Sequence, residues 1–396
     1  LVLRQGVGGL TQGEPRELLE GNILPTYLPL RRWFSAKSEK LRHARIAAAT
    51  PMPPGAANSL FVEIDAETGA GDRYFLPMSL VFDDRGGISP EATQLALARA
   101  RQGRRVGLLT DATSTDSFVV AVVTALANKT RLTDPEAGDI EFRPSSRFQG
   151  IDTSGGVPVM RLSLEQSNST VIIDSKVVLK FIRRTYPGHH PEAEMSRYLT
   201  EVAGFQAVAP FLGDIVRHEP NGAERLLCIA QGFVRNQGDG WVWLREQLKN
   251  LLSGGMPAPL TPTAVAEPGA EAGEAELPSR QFIRALAKRI GELHLALAQP
   301  SDNPDFAPEP VTAADAKAWT EAATRELGTV MRLLAASDVA QGQEAVRELA
   351  SREDQLADLI AERGTHLQAG LKTRIHGDLH LGNIALIDGK PVLFDA

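Results

Sequence analysis

Apolar positions change period several times along this chain. From Pro15 to Tyr27 they return at helical spacing, while Ser59–Ile64 and Arg73–Leu80 form apolar runs either side of a glycine-rich turn, which predicts a hairpin. Asp116–Asn128 reverts to helical spacing behind an N-cap candidate. A β-rich stretch follows, with strands expected at Pro158–Leu162, Val171–Ile173, Val177–Ile182 and Leu226–Ala230. Beyond it Trp241–Leu252, Gln281–Ala298, Ala313–Ala336 and Glu344–Gln368 predict helices. Between the first two of these, residues 253–279 are mostly Gly, Pro, Ala, Glu and Thr, a composition that buries too little apolar surface to order itself, so a flexible insert is expected. No internal repeat is visible.

Composition narrows the class. At 396 residues and 43% hydrophobic content the chain can bury sizeable cores and should divide into two or three domains. A net charge of -7 argues against nucleic acid as the main partner, since nucleic-acid binders carry a basic face to neutralise phosphates. No apolar run approaches the ~20 residues of a membrane span, and Leu1–Gly6 lacks the order of a signal peptide. Cys228 is the single cysteine, which rules out an internal disulfide; together these features predict a cytoplasmic protein with no membrane partner. The chain does not start with Met, so a piece of something longer is expected.

The candidate chemistry sits at the end. Arg374-Ile-His-Gly-Asp-Leu-His-Leu-Gly-Asn, followed after an apolar run by Phe394-Asp395-Ala396, has the spacing of a phosphoryl-transfer centre. Such chemistry needs a hydroxyl held in line, a metal to neutralise migrating charge and a carboxylate to take the hydroxyl proton. Asp378 suits the last role, and Asn383 and Asp395 offer hard oxygens for Mg²⁺. His376 and His380 are expected as scaffold, because imidazole is a poor Mg²⁺ ligand. Taken singly, Asp378 reads better as a turn cap and Asn383 as part of a bulge; the order of all the motifs is what outweighs those readings.

Upstream, Val177-Val-Leu-Lys-Phe-Ile182 places Lys180 inside an apolar strand, where a lone ammonium is costly and an anionic partner is required. In a kinase that position grips the α/β-phosphates of ATP and pairs with a helix glutamate. Two carboxylates follow, in Pro191–Leu199. Glu194 is expected as the partner because it borders the inward stripe of Met195, Tyr198 and Leu199, while Glu192 is expected in an exposed first turn. The polar turn Ser163–Thr170 can aim backbone N–H groups and hydroxyls at phosphate, with Ser167, Asn168 and Ser169 as candidates. Gln231 to Phe233, at the end of the Leu226–Ala230 strand, is the expected hinge for the base.

The HGDLHLGN segment resembles the catalytic loop of the aminoglycoside-phosphotransferase-like kinases. More narrowly the chain is similar to the maltokinase family, of the kind fused behind a trehalose synthase. That resemblance is carried also by Leu24–Lys37, Glu165–Thr170 with Phe181–Arg184 and Pro187-Gly188, Phe233–Trp241 and Gly291–Ala296. It implies an α+β, protein-kinase-like two-lobed fold: an N-terminal mixed α/β cap domain over residues 1–140, a nucleotide-binding β-rich lobe over 141–232, and a helical catalytic lobe over 233–396, truncated at its C-terminus. It further implies ATP- and Mg²⁺-dependent phosphorylation of the anomeric hydroxyl of maltose, feeding α-glucan synthesis. The sequence leaves two further readings open, another small-molecule kinase of the superfamily and a non-catalytic module of a fusion. Asn383 stands where maltokinases usually show glutamine, and the acidic, glycine-containing segment that follows the metal aspartate in that family is not seen after Asp395. Acceptor-binding residues are therefore expected beyond residue 396, and the chain alone is expected to expose apolar surface, to aggregate or to turn over poorly. Trp33, Phe34 and Tyr27 read as core; Trp241 and Trp243 are the better sugar-stacking candidates.

Overall fold

A computed structural model describes residues 1–35, 41, 43–52, 55–67, 72–83, 87–152, 156–162, 168–253, 278–336, 348–349, 351–387 and 390–393. The chain opens with α1 (Gly13–Leu18), which runs through a wider π turn (Leu19–Ile23) into α2 (Leu24–Tyr27). Leu19, Leu24 and Tyr27 are buried, as the helical spacing predicts, and so are Trp33 and Phe34. Next come β1 (Ala44–Pro51), β2 (Ser59–Ala66), β3 (Arg73–Phe75), β4 (Met78–Phe82), α3 (Pro90–Gln94), β5 (Ala96–Gln102), β6 (Arg105–Asp111) and α4 (Asp116–Ala127). The run expected as one strand from Arg73 to Leu80 is two strands. Pro77 cannot donate to a ladder, and the strand is interrupted there, while the Leu76 N–H holds the Val62 carbonyl at 2.8 Å.

The second stretch contributes β7 (Arg131–Leu132), β8 (Ile140–Pro144), β9 (Val159–Leu162), β10 (Ser169–Ile173), β11 (Val177–Phe181), β12 (Arg184–Thr185), α5 (Pro191–Arg197, extended by a π turn over Tyr198–Val202), β13 (Phe211–His218) and β14 (Glu224–Gly232). Two seven-stranded sheets result: β12-β3-β2-β4-β6-β5 with β1 on β2, and β7-β8-β13-β14-β11-β10-β9. The expected boundary near residue 140 does not separate them cleanly, since β7 precedes it yet pairs with β8, and β12 returns to the first sheet.

Helix α4 is why the sheets adhere. Its Phe118, Val119, Val122 and Leu126 are buried together with Phe61 and Phe75 of the first sheet and Phe142, Val171 and Phe181 of the second. Ring centroids of Phe61 and Phe142 lie 6.0 Å apart, and those of Phe118 and Phe181 5.8 Å, so one apolar core serves both sheets. Buried charge joins them as well. The Arg217 guanidinium on β13 donates to Glu63 on β2 and, at 3.0 Å, to the Thr50 hydroxyl on β1.

Contacts divide the chain into two compact units, residues 1–286 with 379–396, and residues 287–378. The first also holds α6 (Gly240–Leu252), the start of α7 (Pro278–Leu297), and the hairpin of β17 (Ile384–Ile387) with β18 (Lys390–Leu393). The second holds the rest of α7, α8 (Ala313–Ala336), α9 (Glu353–His366) and the two-stranded β15 (Glu309–Pro310) with β16 (Leu371–Lys372). α8 and α9 approach closely at Gly364, where a Cβ would stand 2.3 Å from the Thr320 hydroxyl. Lys372 clasps Glu309 and Asp315 at 3.1 Å each, and hydrogen bonds from Thr312 and Lys372 hold the Asp315 carboxyl down at about 2. Of the expected insert, residues 254–277 lie outside the described residues, and Pro278 and Ser279 already belong to α7. Of the expected helix Glu344–Gln368, residues 344–347 and 350 lie outside them too. Among the described residues no helix is long and apolar enough to cross a membrane.

Candidate active site

The hairpin of β10 and β11 sets the site. Asp174 and Ser175 take φ of 51° and 48°, and the Lys176 N–H reaches the Ile173 carbonyl at 2.9 Å, a tight turn of the kind whose twist matches paired strands. This fixes the register: Ile172 faces Val178 and Thr170 faces Lys180, while Val178 in turn faces Gln231 on β14. Directly paired residues share a face. Leu162, Thr170, Ile172, Val178, Lys180 and Gln231 therefore line one wall of a cleft of about 250 Å³, which Ala209, Val234, Gly382, Ile384 and Ala385 complete.

Lys180 meets its anion there, with Nζ 2.7 Å from Oε1 of Glu192; the two side chains are 14% and 15% exposed. This differs from the expected Glu194, which stands 3.9 Å from the exposed His189. The reason is helix phase. Ser196, four residues after Glu192 and so above it on the same face, is buried and accepts a hydrogen bond from the Gln231 amide at 3.2 Å. Side chains lean toward a helix N-terminus, which brings Glu192 from the first turn over β11. The inward stripe of Met195, Tyr198 and Leu199 is buried as expected, but Ser196 widens it toward Glu192. His190, the residue before α5, is half-buried; burial first and the Lys180 ammonium second lower its imidazole pKa.

Asn168 and the start of β10 are held by Arg183, which is fully buried. Its N–H donates to the Asn168 side chain at 3.2 Å, and its guanidinium to the Ser169 hydroxyl at 2.7 Å, to Asp111 at 2.5 Å and to the Thr113 hydroxyl at 3.2 Å. The Ser169 hydroxyl thus faces the guanidinium that the first sheet anchors. Ser167 lies outside the described residues.

At the hinge, the Gly232 and Phe233 amides are already engaged, by the Pro210 and Lys176 carbonyls at 2.8 Å each. The Val234 N–H makes no hydrogen bond among the described residues and Val234 lines the cleft. The Asn236 side chain then shapes the turn into α6, donating to the Val234 carbonyl at 3.1 Å and accepting from Gly238 N–H at 3.0 Å. The same turn grips β17, through Gln237 N–H to the Leu386 carbonyl at 2.8 Å and Leu386 N–H to the Gly238 carbonyl at 3.1 Å. Asn383 is carried to the cleft floor in this way, between lining residues Gly382 and Ile384. His380 Nδ1 accepts from Gly382 N–H at 3.0 Å and caps that turn.

Asp378 ends the other unit, exposed, with its N–H 3.4 Å from His376 Nδ1. Asp395 lies outside the described residues. Trp243 packs on Phe282 with centroids 5.1 Å apart, while Trp241 is 59% exposed on α6. Within the first unit the structure thus gathers Lys180, Glu192, Gln231, Val234 and the turn bearing Asn383. Sequence reading missed Ser196, Val234 and Arg183. The first had a signal, a small polar residue in an otherwise apolar helix face; the second had none, because its role is a backbone group.

Residues 27–114 match the maltokinase N-terminal cap domain. Glucosamine kinase of Mycolicibacterium smegmatis is 26% identical over 242 residues, covering 59% of this chain and 50% of that protein. Glucosamine kinase of Streptacidiphilus jiangxiensis is 25% identical over 316 residues, covering 76% and 64%. The chain thus spans half to two thirds of the length of these curated relatives. A solved glucosamine kinase in complex with glucosamine, ADP and inorganic phosphate superposes with a TM-score of 0.55 at 19% identity, over 89% of this chain and 66% of that one. Crystal form A of a glucosamine kinase gives 0.56 at 19% identity, over 95% of this chain and 71% of that one. The chain thus carries a segment similar to a maltokinase cap and shares the kinase-like fold of the solved glucosamine kinases.

Proposed function

We propose that this chain serves an ATP-dependent sugar kinase that transfers the γ-phosphoryl group to a sugar hydroxyl. The observation that carries the reading is the Lys180–Glu192 ion pair on the wall of a cleft whose floor is the turn bearing Asn383. The pair holds an ammonium where it can grip phosphate oxygens, beside the Thr170 that lines the same wall. In the transfer, the acceptor oxygen bonds to the γ-phosphorus, the bond to the β-phosphate oxygen breaks, and the hydroxyl proton passes to Asp378. Asn383, half-buried on the turn at the cleft floor, would together with Asp395 supply the amide and carboxylate oxygens that suit Mg²⁺, which would neutralise phosphate charge.

For the acceptor we favour maltose at its anomeric hydroxyl, on the match of residues 27–114 to a maltokinase cap. The sequence resemblance then adds a fused or associated trehalose synthase as partner and α-glucan synthesis as the destination. A second reading, glucosamine as acceptor, is favoured by the names of the relatives and solved structures. Rates on maltose and glucosamine with ATP and Mg²⁺ decide between them. The first reading predicts a kcat/KM for maltose at least ~tenfold above that for glucosamine, a discrimination that a site bonding the sugar hydroxyls readily supplies. The reverse ratio favours the second, and phosphorylation of no sugar overturns both.

A further inference from the structure

We infer that Gln231 reads position six of the purine, and that Ser196 fixes the direction in which it does so. The inference rests on the nucleotide reading above and adds base selectivity to it. Gln231 is 6% exposed, lies on the cleft wall opposite Val178, and is the last polar side chain before the hinge turns away. Its Nε2 donates to the buried Ser196 hydroxyl at 3.2 Å, which commits the donor half of the amide to α5. The other half, Oε1, makes no hydrogen bond among the described residues, and Gln231 lines the cleft. An acceptor open to the cleft can take a donor from a ligand, and a ligand that sets a second acceptor against it leaves both unmatched.

Three residues further on, the Val234 N–H is likewise without a described partner and lines the same cleft. One acceptor and one donor at this spacing complement the amidine edge of adenine, whose exocyclic amino group donates while the ring nitrogen beside it accepts. A six-oxo purine presents the opposite pattern and would set its carbonyl against Oε1. Apolar Ile172, Val178 and Ile384 leave the faces of the base to packing alone. One face of α5 therefore serves both ends of the nucleotide: Glu192 holds the lysine that meets the phosphates, and Ser196, one turn on, orients the amide that meets the base.

The test is equilibrium binding to the whole chain of ADP, of its analogue lacking only the six-amino group, and of inosine diphosphate. Wild-type protein should favour ADP over the deamino analogue by ~tenfold, and over the six-oxo nucleotide by more. Gln231→Met should shrink the first ratio below about threefold. Ser196→Ala, which frees the amide to turn over, should shrink it too. Lys180→Met should weaken all the ligands alike and leave the ratios in place, because it acts at the phosphates. Equal wild-type affinity for ADP and the deamino analogue, or an unchanged ratio in Ser196→Ala, overturns the inference while the nucleotide site stands. Binding of no nucleotide at all overturns both. Should Gln231→Met fold poorly, the analogue series on wild-type and Ser196→Ala protein still decides.

Discussion

Lys180 and Glu192 show how a single side-chain contact sorts two carboxylates that a sequence treats almost alike. Glu192→Gln removes the anion that keeps a largely enclosed ammonium in place, so nucleotide affinity should fall at least ~tenfold, in line with the loss of one charge-assisted hydrogen bond. Glu194→Gln should change it less than about threefold, since its pairing with an exposed histidine is worth little. Titrating ADP into both variants checks this; equal effects would return the role to Glu194. His190 adds a pH dependence. Its folded-state pKa lies below the ordinary value, so the unfolded chain binds more protons in the interval between the two. Stability is therefore complete above about pH 6.5 and declines as pH falls toward the lowered value. Urea midpoints measured from pH 7.5 down to 5 should drop in wild-type protein and stay flatter in His190→Gln.

At the scale of elements, the strands β10 and β11, α4 and the straight helices were legible in the sequence because period and apolar content dictate them locally. What was not legible depends on partners remote in the chain. The phase of α5 is fixed by Ser196 meeting Gln231, 35 residues away, and no spacing within the helix reveals it. The break at Pro77 was visible in principle, as proline cannot serve a ladder, but the apolar run on both sides hid it. Arg183 follows an apolar strand and looks like a surface residue until Asp111, 72 residues before it, is placed beside it. Breaking a fully buried pair on one side leaves an unmatched charge, so Asp111→Asn should cost ~3 kcal/mol of unfolding free energy and loosen the loop at Asn168 and Ser169. Denaturant unfolding measures the first effect, and protease susceptibility near residue 168 the second. A loss below ~1 kcal/mol would mean that water already reaches the guanidinium.

For the molecule as a whole, the two seven-stranded sheets share a core through α4 and a buried charge network through Arg217 and Glu63. They should open as one cooperative unit. Hydrogen exchange is expected to give amides of β2 and β11 the same opening free energy, and two separate values would show the cap folding on its own. The central claim, however, is chemical. It is tested most directly by following ATP, Mg²⁺ and maltose or glucosamine with the kinase that this chain serves by ³¹P NMR. The account predicts ADP together with a new sugar-phosphate resonance, both lost in Asp378→Asn and in Lys180→Met. Intact ATP, ADP with inorganic phosphate alone, or undiminished transfer in either variant would contradict it.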